Sequence, residues 1–370
     1  MSRLFEPFEF HGVTARNRMW MPPMCQFTAS SEGSSAGWPN DWHEIHYGAR
    51  AAGGVGAVIV EATAVCPEGR ISPFCLMLDR DEKIPGFARL ATLIKEGGAL
   101  AGIQISHAGR KASSSPSGTP LVPADDEMGG IGWHPVAPSP IPFSPRHEVP
   151  RELDLPGIKT IQNQFVQAAR RALEAGFDFV ELHGAHGYLM HEFLSPITNH
   201  RIDEYGGDLE GRFRFWKEII VMIRAELGSS FPLLVRISAT SWLPESNLEL
   251  RRDVTLDDWG KLAHELSRLG VDFIDVSTGG LVPGAQIPVA PGYQVPYAQE
   301  IQNRGPLPVS AVGLITEPAQ AEQILVTGAA SVVEVGRPLL TDPSLPLAWA
   351  ARLGDEPPVP EPYTRGTPRT

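Results

Sequence analysis

The chain has little cysteine, no long apolar run and no basic excess, and each shortage closes off a class of protein. Its cysteines are Cys25, Cys66 and Cys75 alone. An odd count without a C-x-x-C pair implies neither a disulfide framework nor a zinc knot, and it points to a reducing compartment, the cytoplasm. No stretch reaches the roughly 18 apolar residues of a membrane span. The start, MSRLFEPFEF, has no basic segment leading into an apolar one, so a secretory leader is not expected. The formal net charge is −12 over 370 residues, which argues against the basic stripe that a nucleic-acid surface needs. What is present is an ordinary globular composition, 42% hydrophobic and 20% charged. The length is generous for one average domain and usual for an α/β barrel with insertions.

Short apolar runs that read as strands recur along the whole chain, at 17–21, 55–63, 100–106, 177–182, 233–237, 273–277, 309–312 and 332–335. Amphipathic helical patterns lie between most of them, at 87–95, 158–174, 209–226, 256–269 and 318–326. Several end in glycine leading straight into a strand, at Gly53-Gly54, Gly97-Gly98, Gly176, Gly270 and Gly328. Glycine closes a helix cheaply because it tolerates the left-handed conformation. Eight strand units of this kind predict a closed (β/α)8 TIM barrel, a single domain over 1–370. An open dinucleotide-binding sheet would want G-x-G-x-x-G after the first strand, where Pro22-Pro23-Met24-Cys25 stands instead. Long insertions are expected in the loops after the third and fourth strands, at 111–156 and 195–211. They serve either as lids and binding walls or as passive insertions. The tail at 355–370 is Pro-rich and polar, which by composition is a loose terminus.

His183, His186 and Tyr188, in FDFVELHGAHGYLMHEF, are the most telling residues. Two imidazoles and a phenol at the end of a buried strand lose stability if they stay dry and unpaired. They point to a site that donates hydrogen bonds and a proton; a metal pair or core histidines bonded to backbone are the plainer alternatives. A barrel places its chemistry at strand C-terminal ends. There the chain has Cys25, Ala62, Gln104 with His107, His183 with His186, Arg236, Ser277 to Gly280, Gly313, and Gly336 with Arg337. Gly313 and Gly336-Arg337 fall where phosphate-binding barrels hold an anion, although ordinary turn chemistry also uses such pairs. Arg236 in the apolar strand LLVRIS needs either a buried carboxylate or a bound cofactor. Gln104 offers a fixed donor and acceptor for a planar heterocycle.

In order along the chain, these residues resemble the old yellow enzymes, FMN-dependent ene-reductases, and most of all the bacterial subclass with a cysteine after the first strand. The resemblance covers nearly the full length. It runs through Pro23-Met24-Cys25, Glu61-Ala62-Thr63, Gln104 with His107-Ala108-Gly109-Arg110-Lys111, and His183-Gly184-Ala185-His186-Gly187-Tyr188. It continues through Glu204-Tyr205-Gly206-Gly207, Val235-Arg236-Ile237-Ser238 and Gly336-Arg337. It implies FMN across the barrel mouth, with Pro22, Pro23, Met24, Cys25, Ala62 and Gln104 around the ring. Arg236 would face its N1/C2 edge, and Ser277, Gly313, Gly336 and Arg337 the ribityl phosphate. It implies that His183 and His186 donate to the carbonyl of an α,β-unsaturated substrate, that hydride passes from flavin N5, and that Tyr188 gives the proton. NADPH or NADH would reduce the flavin in the same pocket, in ping-pong order. Cys25 would tune the flavin rather than act as a nucleophile; a small apolar packing role is its alternative.

The sequence departs from the family pattern in three places. Phe27 replaces the usual tyrosine in the substrate pocket, Pro22 stands where some relatives have serine, and Thr367 replaces an aromatic in the tail. Tyr363-Thr364-Arg365-Gly366 otherwise resembles the segment that enters a neighbouring subunit's site, implying a homodimer or a dimer of dimers with Arg365 acting in trans. Two other functions compete: a metal-dependent barrel hydrolase using His183, His186 and His107, and a flavin- or phosphate-binding protein without turnover. The resemblance includes no resident metal.

Overall fold

The computed structural model describes residues 1–127, 129–243 and 253–366. Two short strands, β1 (Phe8–Phe10) and β2 (Val13–Ala15), open the chain as an antiparallel hairpin. The main body then alternates strand and helix: β3 (Met19–Met21), α1 (Asp41–Ala52), β4 (Ala57–Ala64), α2 (Ile84–Glu96) and β5 (Leu100–Ser106). The insertion after β5 carries a pair of two-residue strands, β6 (Val136–Ala137) and β7 (Arg151–Glu152), before α3 (Leu155–Glu174) and β8 (Phe179–Gly184). The insertion after β8 carries α4 (Leu189–Leu194) and leads to α5 (Leu209–Leu227) and β9 (Leu233–Ser238). The sequence continues with α6 (Leu256–Arg268), β10 (Phe273–Ser277), α7 (Val295–Arg304), β11 (Val309–Ala311), α8 (Pro318–Val326) and β12 (Val332–Glu334). Two further helices, α9 (Arg337–Thr341) and α10 (Leu345–Leu353), follow.

β3, β4, β5, β8, β9, β10, β11 and β12 form one closed parallel barrel, sealed where Val333 of β12 pairs with Met19 of β3. This is the (β/α)8 TIM barrel expected from the sequence. The helices form for identifiable reasons. Asp154 caps α3 by accepting from Gly157 N–H at 2.8 Å, and Ile158, Ile161, Phe165, Ala169 and Ala172 line its buried face. Thr255 and Asp258 form a reciprocal capping box on α6.

Six of the eight barrel strands differ by one to two residues in their limits from the sequence reading, and two of these differences bear on the site. The fourth barrel strand begins at Phe179, because Phe177 N–H still returns to Ala172 O and Asp178 is held by the backbone N–H of Ala101. His183 therefore lies on the strand itself. Arg236 likewise sits inside β9, two residues before its end. The sequence reading marks α1 only by its closing Gly53-Gly54, and it has no counterpart of α4, α7, α9 or α10. α1 buries His43, His46, Tyr47 and Ala51, and α7 buries only Ala298 and Ile301, so neither writes a strong apolar stripe.

The barrel strands divide their side chains by parity. Met19, Met21, Leu233 and Val235 face the layer shared with the helices, whereas Trp20, Phe179, Leu234, Phe273 and Val332 face inward. The hairpin adds Phe8 and Phe10 to that inner cluster. Trp20 stacks 5.4 Å from Phe273 and 5.9 Å from Phe179, with Phe10 at 5.5 Å. An apolar plug thus fills the N-terminal end of the barrel.

Candidate active site

The loop after β3 is shaped by a buried glutamate. Gln26 N–H donates to Glu61 Oε2 at 2.8 Å, and the Tyr47 hydroxyl donates to Glu61 Oε1 at 3.1 Å. His43 Nε2 is 3.4 Å from the same oxygen. The β4–β5 ladder shifts register between Val60 and Thr63, and the irregularity takes Glu61 and Ala62 out of regular pairing. This anchor holds Cys25 partly buried and Phe27 in the left-handed region at φ 53°. Burial, then Cys75 and Glu61, push the Cys25 thiol well above its ordinary range, so it is a neutral thiol. The same loop meets the end of β12. A Cβ added to Gly336 would touch Met24 Sδ at 3.4 Å and Pro22 Cγ at 3.6 Å.

His183 and His186 form a compact pair. Their ring centroids are 5.1 Å apart, His183 Nε2 lies 3.5 Å from His186 Nδ1, and the Tyr188 ring is 4.8 Å from His183. His183 Nδ1 accepts from Ala185 N–H at 3.4 Å, which leaves the proton on Nε2. His186 Nε2 contacts Ser277 Oγ at 2.8 Å, and Ser277 in turn donates to Gln294 Oε1 at 3.2 Å. His186 takes φ 58°, and the facing turn fits only because Gly280 has no side chain: a Cβ there would fall 2.6 Å from His186 Cα. Lys111 Nζ donates to His186 O at 2.9 Å and Gly280 O at 3.1 Å, and lies 5.0 Å over the Tyr188 ring. Burial, followed by the charge of Arg236, drives both imidazoles well below their usual pKa, so both are neutral hydrogen-bonding groups. Burial raises the Tyr188 phenol, which keeps its proton.

Arg236 meets a buried carboxylate, one of the two partners its sequence context suggests, and it also lines a cavity. Its Nε is 2.7 Å from Asp275 Oδ2, a close ion pair whose N–H is not directed along the contact. The same side chain lines a cavity of about 380 Å³ with Ser277, Gly313, Glu334, Gly336 and Arg337. Gly313 has φ 119°, and Gln294 fills the space where its side chain would be, with a Cβ meeting Gln294 Nε2 at 2.9 Å. Gln104 Nε2 donates to Glu181 Oε1 at 2.7 Å, which joins it to the carboxyl group beneath the cavity.

The structure therefore gathers Arg236, Ser277, Gly313, Gly336 and Arg337 on one cavity, and Ser277 links that cavity to the His183–His186–Tyr188 group. Arg365 is exposed on a short 3-10 helix, Glu361–Gly366, and Thr367 lies outside the described residues. Four contributors escaped the sequence reading: Glu61 as a loop anchor, Gln294, and the buried acids Asp275 and Glu334. Both acids interrupt apolar strands, FIDVS and VVE, the signal that singled out Arg236. Among the described residues, the group with metal-ligand spacing is Glu181, Asp275 and Glu334, and it includes none of the histidines that a hydrolase would use. No described helix is long and apolar enough to cross a membrane.

A glycine-walled cavity with one cationic side chain inside and another at its rim fits a flat, anionic cofactor with a phosphate. Comparison with known proteins agrees. The pattern of the NADH:flavin oxidoreductase / NADH oxidase family matches residues 3–356. An NADPH dehydrogenase of Geobacillus sp. (strain WCH70) is 45% identical over 363 residues, 98% of each chain. Morphinone reductase aligns in structure over 98% of this chain and 92% of its own, at 26% identity and a TM-score of 0.76. A 2-naphthoyl-CoA reductase complex with 2-naphthoyl-CoA aligns over 95% of this chain at 28% identity and a TM-score of 0.81; there the present chain spans 52% of the other.

Proposed function

The chain belongs to the NADH:flavin oxidoreductase / NADH oxidase family of FMN enzymes, and on that premise we propose that it is an NADPH-dependent ene-reductase of the old yellow enzyme type. It reduces the activated C=C bond of α,β-unsaturated carbonyl compounds. In this reading Pro22, Pro23, Met24, Cys25, Ala62, Gln104 and Arg236 surround the FMN ring, and Ser277, Gly313, Gly336 and Arg337 hold its phosphate end. One observation carries the reading: Ser277 touches His186 at 2.8 Å and also lines the Arg236 cavity, so the hydrogen-bonding group and the cofactor space share a wall.

Reduced FMN, once bound, supplies the hydride. The residues of the chain do the rest. His183 and His186, being neutral, polarise the substrate carbonyl by donating hydrogen bonds, which makes the β-carbon electrophilic. His183 presents its Nε2–H directly. His186 presents Nδ1–H when the Ser277 hydroxyl turns to donate to its Nε2. Tyr188, held as a neutral phenol, gives its proton to the α-carbon. Phe27 leaves the carbonyl without a further hydroxyl. NADPH and substrate use the same face in turn. The proposal includes a homodimer or dimer of dimers in which Arg365 reaches the partner's site, and a reducing cytoplasmic setting, in keeping with three free cysteines.

The test is an absorbance spectrum of the purified protein, followed anaerobically by NADPH and then 2-cyclohexenone. A yellow band should bleach and return. A flavin that bleaches but is not reoxidised by any of a panel of enones rules out the substrate class.

A further inference from the structure

Glu334 is a buried acid whose nearest cation, Arg236, is held more closely by another carboxylate. It lies inside the barrel on β12, 1% exposed, and neither carboxyl oxygen receives a hydrogen bond. Its neighbours can be named element by element. β8 brings Glu181, β9 Arg236, β10 Asp275, β11 Ser310 and β5 Gln104, while Cys25 faces Arg236 from the loop after β3. β3 itself, Met19–Met21, adds no titratable group. Arg236 Nη2 is 3.9 Å from Glu334 Oε2, while Arg236 Nε is 2.7 Å from Asp275 Oδ2. Ser310 Oγ donates to Asp275 Oδ1 at 2.8 Å. One oxygen from each of Glu181, Asp275 and Glu334 falls within 4.8 Å of the other two.

One guanidinium balances one carboxylate, and the closer and better bonded is Asp275. If Glu334 ionises as well, the group becomes negative, at buried positions where like charges repel strongly. Glu334 also lines the Arg236 cavity. A negative floor there opposes an anionic cofactor, and a neutral one does not.

We propose that Glu334 is a positioning residue for FMN. Its carboxyl keeps its proton while the cofactor is bound and donates it to the Asp275 carboxylate, so that Arg236 meets the cofactor from a neutral floor. This rests on the reading that the Arg236 cavity holds FMN. Burial first, and then the charge of Asp275, push the Glu334 carboxyl in the same direction, well above the ordinary carboxylate range.

The test uses the holoprotein near neutral pH. Its infrared spectrum should contain a protonated-carboxyl band that moves in D2O and is missing from Glu334→Gln. Glu181→Gln identifies the neighbour's band. Because Gln keeps the shape and neutrality of the acid, Glu334→Gln should bind FMN within about threefold of wild type. A complete band in Glu334→Gln overturns the inference. So does a loss of about tenfold or more in FMN affinity at unchanged melting temperature, because it means that a carboxylate is required. If Glu334→Gln does not fold, Glu334→Asp replaces it, and the band should change frequency. Arg337→Ala separates the two claims. Undiminished FMN binding in that variant removes the cavity assignment and the inference with it, whereas weakened binding with an unaltered Glu334→Gln spectrum removes the inference alone.

Discussion

The two ends of the barrel are made from the same strands and have opposite chemistry. β8 places Phe179 in the apolar plug, Glu181 in the middle and His183 at the mouth. β10 repeats the order with Phe273, Asp275 and Ser277. Alternate residues of a strand share a face, so two steps of two residues carry the chain from packed hydrocarbon through buried charge to hydrogen-bonding groups. The plug contributes stability through area and packing. The mouth loses some stability to burial of polar groups and a left-handed His186, and holds the chemistry in return. Changes at the two ends should therefore separate stability from turnover.

The largest expected effect is at the plug. Trp20→Ala removes the ring stacked between Phe179 and Phe273 and should cost about 3–5 kcal/mol in denaturant unfolding. The surviving folded protein should keep a normal flavin spectrum and KM. A large kinetic defect at unchanged stability would abolish the contrast between the ends. At the mouth, His183→Ala should lower kcat/KM for enones by about 10²–10³, as expected for loss of one fixed donor to a developing oxyanion, with unfolding shifted far less than in Trp20→Ala.

The middle layer should show intermediate behaviour. Burial, and then Asp275, raise Glu181 from an ordinary 4.5 to about 8. Between those values the folded protein holds a proton that the unfolded chain has released, so this group's contribution to stability falls as pH rises through the interval. Glu181→Gln cannot titrate. Its stability relative to wild type should therefore climb by about 1–3 kcal/mol from pH 5 to pH 8, measured by urea unfolding at each pH; a constant difference contradicts a protonated Glu181. The smallest effect is at Phe27. Phe27→Tyr should change enone KM by about threefold, corresponding to one modest hydrogen bond, and leave the rate of flavin reduction by NADPH unaltered.

The barrel was legible because its strands and the glycines ending its helices repeat along the chain. So was the residue set at the mouth, because His183, Arg236 and Gly336-Arg337 are out of place in apolar strands and their ends. The N-terminal plug was not legible. β1 and β2 are three residues each, and only Phe8, Phe10 and Ala15 are buried, too short a pattern to register. Glu61 was quoted only as part of a motif, because its partners, Gln26 N–H and the Tyr47 hydroxyl, come from other elements. Asp275 and Glu334 make sense only once the Arg236 side chain is seen to approach both inside the barrel. Gln294 lies at the N-cap of a helix with little apolar periodicity, and nothing local marks it.

The hairpin that stoppers the barrel makes it a blind tube. Water entering from below meets Phe8, Phe10 and Trp20 before it can reach Arg236 or the acids around it. Arg236 and Glu334 reach bulk solvent through the cavity at the other end, which they line with Gly336 and Arg337. In the proposed function a ring lies across that rim, and proton exchange between solvent and the groups beneath it slows, without stopping, for as long as the ring stays.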